Sequence, residues 1–173
     1  MKGAIFFASK YGSTEQYANW IGEASGLPVF DVKSTNPNLA DYDFLVLGSP
    51  IIYYKLLNRK WIQANWVNIE NKKTILFTVS GAPAGKKLNR WIAESKLPNK
   101  LVSSMEHFAL RGRQIPKELT WYDRLMLIIG ALKNPNPVAS KEELNGFDYM
   151  DKSSIEPILK YILQLQHNDF TAS

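Results

Sequence analysis

Apolar positions along this chain follow two alternating rhythms. Short continuous apolar runs alternate with longer segments in which apolar residues recur every third or fourth position. The runs read as strands: Lys2 to Ala8, Leu27 to Val32 with Pro28 near its start, Phe44 to Gly48, and Lys73 to Val79. A fifth strand is expected at Phe108-Ala109-Leu110, reached through Val102 to His107. The periodic segments read as helices. Glu15 to Ala24 would present Tyr17, Ala18, Ile21 and Ala24 inward, with Ser13 or Thr14 as its cap and Gly26 as its stop. Asn58 to Glu70 carries Ile62, Trp66 and Ile69 on one stripe, and the helix after Gly85 carries Leu88, Trp91, Ile92 and Ser95. A last helix, capped by Ser153 or Ser154 with Pro157 in its first turn, would bury Ile158, Tyr161, Ile162 and Leu165.

Between these elements, Asn36-Pro37-Asn38 reads as loop, Leu39 to Asp41 as a helical turn, Asn134 to Pro137 as a breaker run, and Asn168 to Ser173 as a tail. Trp121 to Leu132 forms a separate apolar amphipathic piece. Five strand–helix alternations imply a parallel sheet with helices on both faces. Continuously apolar strands suit its buried centre. Ligands in such sheets sit beyond the C-terminal strand ends.

Composition narrows the chemistry. The 173 residues include no cysteine, which excludes disulfides, thiolate zinc sites and cysteine-ligated iron–sulfur clusters. His107 and His167 lack metal-ligand spacing and read as structural or solvated, so no metal site is expected. The longest apolar run, Leu125 to Leu132, is far short of the roughly 20 residues that a membrane span requires. A soluble, cytoplasmic protein is expected, at most attached to the inner face of a membrane. Net charge is +5, and residues 55–117 hold 13 basic against 3 acidic groups. That excess could attract an anionic substrate or lipid head groups. It is spread over loops and helices rather than set in a recognition motif, which argues against nucleic acid.

Three expected strand ends carry small or turn-forming residues. The first is Ser9-Lys10-Tyr11-Gly12-Ser13-Thr14, between a buried strand and a helix start. Backbone N–H groups, hydroxyls and the positive end of a helix dipole converge in such a turn, the arrangement that holds a phosphate. The second is Ser49-Pro50-Ile51-Ile52-Tyr53-Tyr54, whose tyrosines could stack on a flat ring. In the third, Ser80-Gly81-Ala82-Pro83, the small residues let backbone approach a ring edge. A plain helix cap explains Ser13 and Thr14, but not Ser9 and Gly12 at the same turn or the two partner loops. No Ser/His/Asp set or carboxylate pair competes for a catalytic role.

These loops resemble the flavin-binding loops of the flavodoxin family. That likeness implies a doubly wound five-stranded parallel sheet of order 2-1-3-4-5, with an extra segment after strand 5, and FMN as the cofactor. The first loop keeps Ser9, Gly12 and Thr14 but has Tyr11 where flavodoxins have threonine. The chain is also similar to the menaquinone-dependent protoporphyrinogen dehydrogenases. Ala8 to Thr14 fits their S-T-x-x-G-x-T loop apart from its first position, and Ile51-Ile52-Tyr53 fits their Ile-x-Tyr. The most specific pieces are Ala109-Leu110-Arg111 and Trp121-Tyr122-Asp123-Arg124. The chain departs from that family in the compact loop after strand 4, in extra residues between Arg111 and Trp121, and at Asn134 to Pro137. The flavin site therefore carries over and the porphyrin substrate does not.

The length is that of one domain, expected over 1–173 with an inserted segment at about 111–146. Trp121–Leu132 reads either as an extra helix packed on the domain or as a surface helix presented to lipid or a quinone. The resemblance implies an FMN-dependent oxidoreductase linked to a quinone. The alternative is a flavodoxin-type electron carrier with no substrate of its own. Such carriers are typically acidic, whereas this chain has a pI of about 9.3.

Overall fold

A computed structural model describes residues 1–35, 37–133 and 137–167. Asn36, most of the expected breaker run (Asn134, Pro135 and Asn136) and the tail 168–173 lie outside the described residues.

The main sheet consists of β1 (Gly3–Phe7), β2 (Val29–Asp31), β3 (Phe44–Ile52), β5 (Lys73–Ser80) and β6 (Glu106–Arg111). These five strands are parallel and ordered β2-β1-β3-β5-β6. Counting parallel strands alone, the order is 2-1-3-4-5, as expected. A short β4 (Lys55–Leu56) folds back antiparallel on the end of β3.

Alternate residues of each strand serve opposite layers because successive side chains point to opposite faces. Ile5, Phe7, Val46, Ile75 and Phe77 join Tyr17 and Ile21 of α1 (Ser13–Ser25), together with Ile158 and Ile162 of α8 (Glu156–His167). Ala4, Phe6, Leu45, Leu47 and Leu76 pack with Ile62, Ile69, Leu88 and Ile92 on the other face. Those partners come from α2 (Arg59–Ala64), α3 (Trp66–Ile69) and α4 (Lys86–Glu94). Two glycines make room for rings across the sheet. A Cβ on Gly3 would lie 2.1 Å from the Phe44 ring, and one on Gly48 would lie 2.3 Å from the Phe77 ring.

Several local expectations are corrected. α1 begins at Ser13 and is capped by Gly12 in the left-handed region (φ 84°), with no side-chain cap. Ala24 is exposed, and Gly22 lies on the buried face instead. The single helix expected over 58–70 breaks at Asn65 into α2 and α3; Asn65 Nδ2 bonds to Trp61 O, satisfying the end of the first piece. A short α5 (Asn99–Ser104) precedes β6. The last helix is led in by a 3-10 turn, Lys152–Ile155, whose cap is Asp151 rather than a serine; its carboxylate accepts from Ser153 N.

After β6 the chain forms β7 (Arg113–Gln114), a 3-10 turn at Pro116–Glu118, α6 (Trp121–Lys133), α7 (Pro137–Asn145) and β8 (Phe147–Asp148). β7 and β8 pair antiparallel as a second, two-stranded sheet. At the base of this excursion, Tyr149 N donates to Gly112 O. The fully buried Tyr17 hydroxyl donates to Arg111 O at 2.8 Å and accepts from Asp151 N at 3.0 Å.

Candidate functional site

The three loops lie at the C-terminal edge of adjacent strands. Ala8 N bonds to Gly48 O, which sets the first loop beside the β3 end. Ser49 and Pro50 pair with Thr78 and Val79, which sets the second beside the third. Gly112 N donates to Ser80 O, so the segment after β6 borders the third loop.

In the first loop, Gly12 supplies the left-handed backbone the turn requires, and Ser9 Oγ accepts from Gly12 N at 3.1 Å. Ser13 Oγ accepts from Arg113 N at 3.3 Å. Thr14 is buried, and its hydroxyl has no hydrogen-bond partner among the described residues. The Arg113 guanidinium approaches this loop: its Nη2 lies 4.0 Å from where a Gly12 Cβ would be. Among the described residues Arg113 has no ion-pair partner.

The second loop differs from its expected form. Ile51 and Ile52 continue β3 and pair with Leu56 and Lys55. The reversal falls on Tyr53 (φ 50°) and Tyr54 (φ 64°), both in the left-handed region, where a side chain crowds its own backbone. Ser49 Oγ accepts from Leu57 N and Asn58 N, fastening the returning chain. The turn sends its two tyrosines to different neighbours. Tyr53 reaches Asp123, whereas the Tyr54 ring lies 5.3 Å from that of Trp91.

In the third loop, Ser80 Oγ donates to Ala82 O, and Arg111 Nη2 donates to Gly81 O. Phe147 of β8 lies against Gly81, 2.5 Å from where a Cβ would be. Phe147 stacks on Tyr149 at 4.9 Å, and the Arg111 guanidinium sits 3.6 Å over Tyr149. Side chains therefore cover one flank of this loop. Pro83 is exposed.

Asp123 was outside the candidate set, and it ties the first two loops together. Its buried carboxylate accepts from the hydroxyls of Tyr11 and Tyr53 and pairs with the Lys10 ammonium. Burial alone would push this carboxyl up. Hydrogen bonds from Lys10, Tyr11, Tyr53 and Thr120 outweigh that and hold it well below the usual carboxylate range. Burial and the neighbouring anion both raise the Tyr53 phenol. Lys10 is lowered by burial but raised on balance by its bond to Asp123. Thr120 caps α6: its hydroxyl accepts from Asp123 N at 3.2 Å. The signals of Asp123 in the sequence are the capping spacing Thr120-x-x-Asp123 and its place in the block Trp121-Tyr122-Asp123-Arg124, neither of which shows what the carboxylate reaches.

The three buried side-chain atoms without partners among the described residues are Thr14 Oγ1, Asn58 Oδ1 and Arg111 Nε. One lies in the first loop, one directly after the second hairpin and one beside the third. A buried polar atom without a partner carries a cost of about 1–3 kcal/mol, so their grouping at one edge fits a polar ligand there. No described helix is long and apolar enough to cross a membrane. Among the described residues, no group of three or more metal-ligating side chains converges.

A five-stranded parallel sheet of this order, with helices on both faces, is the flavodoxin-like fold. The chain belongs to the flavodoxin domain family, which it matches over residues 4–132. Its fold is similar to a flavodoxin from the domain Archaea at 17% identity, covering 94% of this chain and 99% of that one, with a TM-score of 0.49. A flavoprotein in complex with FMN from Lactobacillus acidophilus is 14% identical, covering 64% and 91%, with a TM-score of 0.44. An azoreductase from Bacillus anthracis is 13% identical, covering 94% and 99%, with a TM-score of 0.43. At such values no residue role passes from them to this chain. No curated protein sequence matches it.

Proposed function

We propose that the chain is an FMN-dependent oxidoreductase and that 1–173 act as one domain. Ser9, Lys10, Tyr11, Gly12, Ser13 and Thr14 would hold the phosphate. Ser49 to Tyr54 and Ser80 to Pro83 would flank the ring. When bound, FMN supplies the capacity to accept a hydride or single electrons. The chain's own part is to grip the phosphate, orient the ring and govern access to it. The observation that carries this reading is the buried hydroxyl of Thr14 in the first turn of α1, without a partner among the described residues, with the Arg113 guanidinium beside Gly12. A phosphate there would satisfy the hydroxyl and draw on the guanidinium and the helix dipole.

The block Trp121-Tyr122-Asp123-Arg124, with Ala109-Leu110-Arg111, supports kinship with the quinone-linked protoporphyrinogen dehydrogenases. The exposed apolar residues of α6, including Trp121, Leu125, Ile128 and Leu132 with Arg124 among them, support contact with the inner membrane face from the cytoplasm.

Thr14→Val is the test. It keeps the shape and removes only the hydroxyl. Because that hydroxyl has no protein partner, Tm should hold or rise. FMN affinity should fall roughly 10- to 100-fold, the worth of a hydrogen bond to a charged group. Unchanged FMN affinity, or no FMN binding by the parent chain in an absorbance titration, removes the reading.

A further inference from the structure

On the far side of the Tyr53–Tyr54 turn lies a shallow groove of about 490 Å³ lined by Tyr54, Lys86, Lys87, Arg90, Trp91 and Glu94. Two aromatic rings form its floor: Tyr54 is 59% exposed, and its ring meets Trp91 at a 39° tilt. Lys87 Nζ stands 5.1 Å over the Trp91 ring. The groove's only acid, Glu94, is already bonded to Arg90 at 2.8 Å. Lys86 and Lys87 have no carboxylate partner among the described residues.

This charge arrangement opposes the local helix rules. Lys86 and Lys87 lie in the first turn of α4, which contains no acid, and Arg90 stands at the middle of the helix. Cations are disfavoured at that end of a helix. Sequences break such rules chiefly at functional sites. Solvated lysines would explain the charge alone. They would not explain two partly open rings set side by side, one of them on a non-glycine residue in the left-handed region. Flat aromatic faces beside unbalanced cations recognise a flat ring that carries an anion. Lys86 and Lys87, without a carboxylate partner among the described residues, stand beside Arg90, which Glu94 shares, and two adjacent free cations suit the multiple charge of phosphates better than a single carboxylate. The volume suits one nucleotide.

We propose that this groove binds a phosphorylated purine nucleotide, with its base against Tyr54 and Trp91 and its phosphates among Lys86, Lys87 and Arg90. Tyr54 lines the groove and also ends the loop assigned to the flavin ring, so the two sites adjoin. The groove is therefore the docking site for the adenylate half of a dinucleotide substrate. That last role rests on the flavin reading, whereas nucleotide binding itself does not.

The test is calorimetric titration of the full chain with ADP, adenosine, pyrophosphate, a short oligothymidylate and a dicarboxylated porphyrin. ADP should bind, with adenosine and pyrophosphate each at least about tenfold weaker, since stacking and charge contribute together. Replacing Lys86→Ala and Lys87→Ala together should weaken ADP about tenfold and leave FMN affinity unchanged. Tyr54→Asn, which the left-handed backbone accepts, should also weaken ADP. No ADP binding, ADP affinity indifferent to both variants, or tighter binding of the oligothymidylate or the porphyrin overturns the proposal. FMN is titrated separately by absorbance. ADP binding without FMN binding keeps the nucleotide groove and removes the flavin reading; FMN binding without ADP binding does the reverse.

Discussion

Replacing Asp123→Asn should undock α6 while leaving the sheet folded. Asparagine matches the carboxylate's shape, so no cavity opens; it loses the charge and turns an acceptor into a donor facing Lys10, Tyr11 and Tyr53. A buried hydrogen bond to a charged group contributes about 1.5–3 kcal/mol, whereas an exposed ion pair contributes only about 0.2–1. The half-buried Tyr11 belongs near the first range. Lys10, with its side chain 31% exposed, and Tyr53, 46% exposed, recover water and belong near the second. Together they give about 2–5 kcal/mol, or roughly 30- to 3,000-fold in the opening equilibrium.

That loss is local. The residues of α6 buried among those described are Asp123 and Ala131, and neither belongs to the two core layers. Hydrogen exchange read by mass spectrometry should therefore show faster exchange across 119–133, with the amides of β1 and β3 unchanged. Two results would refute the reasoning: wild-type protection over 119–133, or β1 and β3 exchanging faster in step with α6.

The same cluster sets a pH window. Because the Asp123 carboxyl is depressed, its stabilisation is present above the ordinary carboxylate pKa of about 3.9 and is lost as pH falls through its lower folded value. Tyr53 and Lys10 are raised, so their share is present below about pH 10 and lost as pH rises through their folded values. Protection over 119–133, taken relative to the intrinsic amide exchange rate at each pH, should be greatest between these limits; a flat protection profile in Asp123→Asn checks the assignment. His107 is lowered by burial and bonded to Thr78 at 2.9 Å. Stability should therefore decline as pH falls through about 6.5, and His107→Gln should flatten that decline in urea melts. Gly48→Ala forces a Cβ into the Phe77 ring and should cost roughly 1–3 kcal/mol, seen by calorimetry as a fall in Tm of roughly 2–12 °C.

The parallel sheet is legible because continuous apolar runs and helical stripes agree on one architecture. Both layers appear in the alternation of Ala4, Ile5, Phe6 and Phe7. The β3–β4 hairpin is hidden because Tyr53 and Tyr54 take left-handed backbone without the glycine or asparagine that usually marks such a turn. The split at Asn65 leaves no mark in the pattern because Ile62, Trp66 and Ile69 keep helical spacing across it. Asp151 displaced the two serines as cap, a choice among adjacent good cappers that only tertiary contacts decide. The first and third turns can be read from residue type. Asp123 and Arg113 cannot: each reaches the first loop across about a hundred residues, and nothing local in the sequence encodes that distance.

The single phenolic hydroxyl of Tyr17 fixes where the chain leaves the main sheet, at Arg111, and where it comes back, at Asp151. The departing and returning strands are thus knotted at one atom, like the neck of a purse. Arg113, Asp123 and Phe147 reach back to the loops of the sheet; the rest of what hangs below that neck can lengthen, shrink or change character over generations without pulling on the sheet. Natural variation in what this protein touches is therefore expected to gather there, while the Tyr17 hydroxyl stays put.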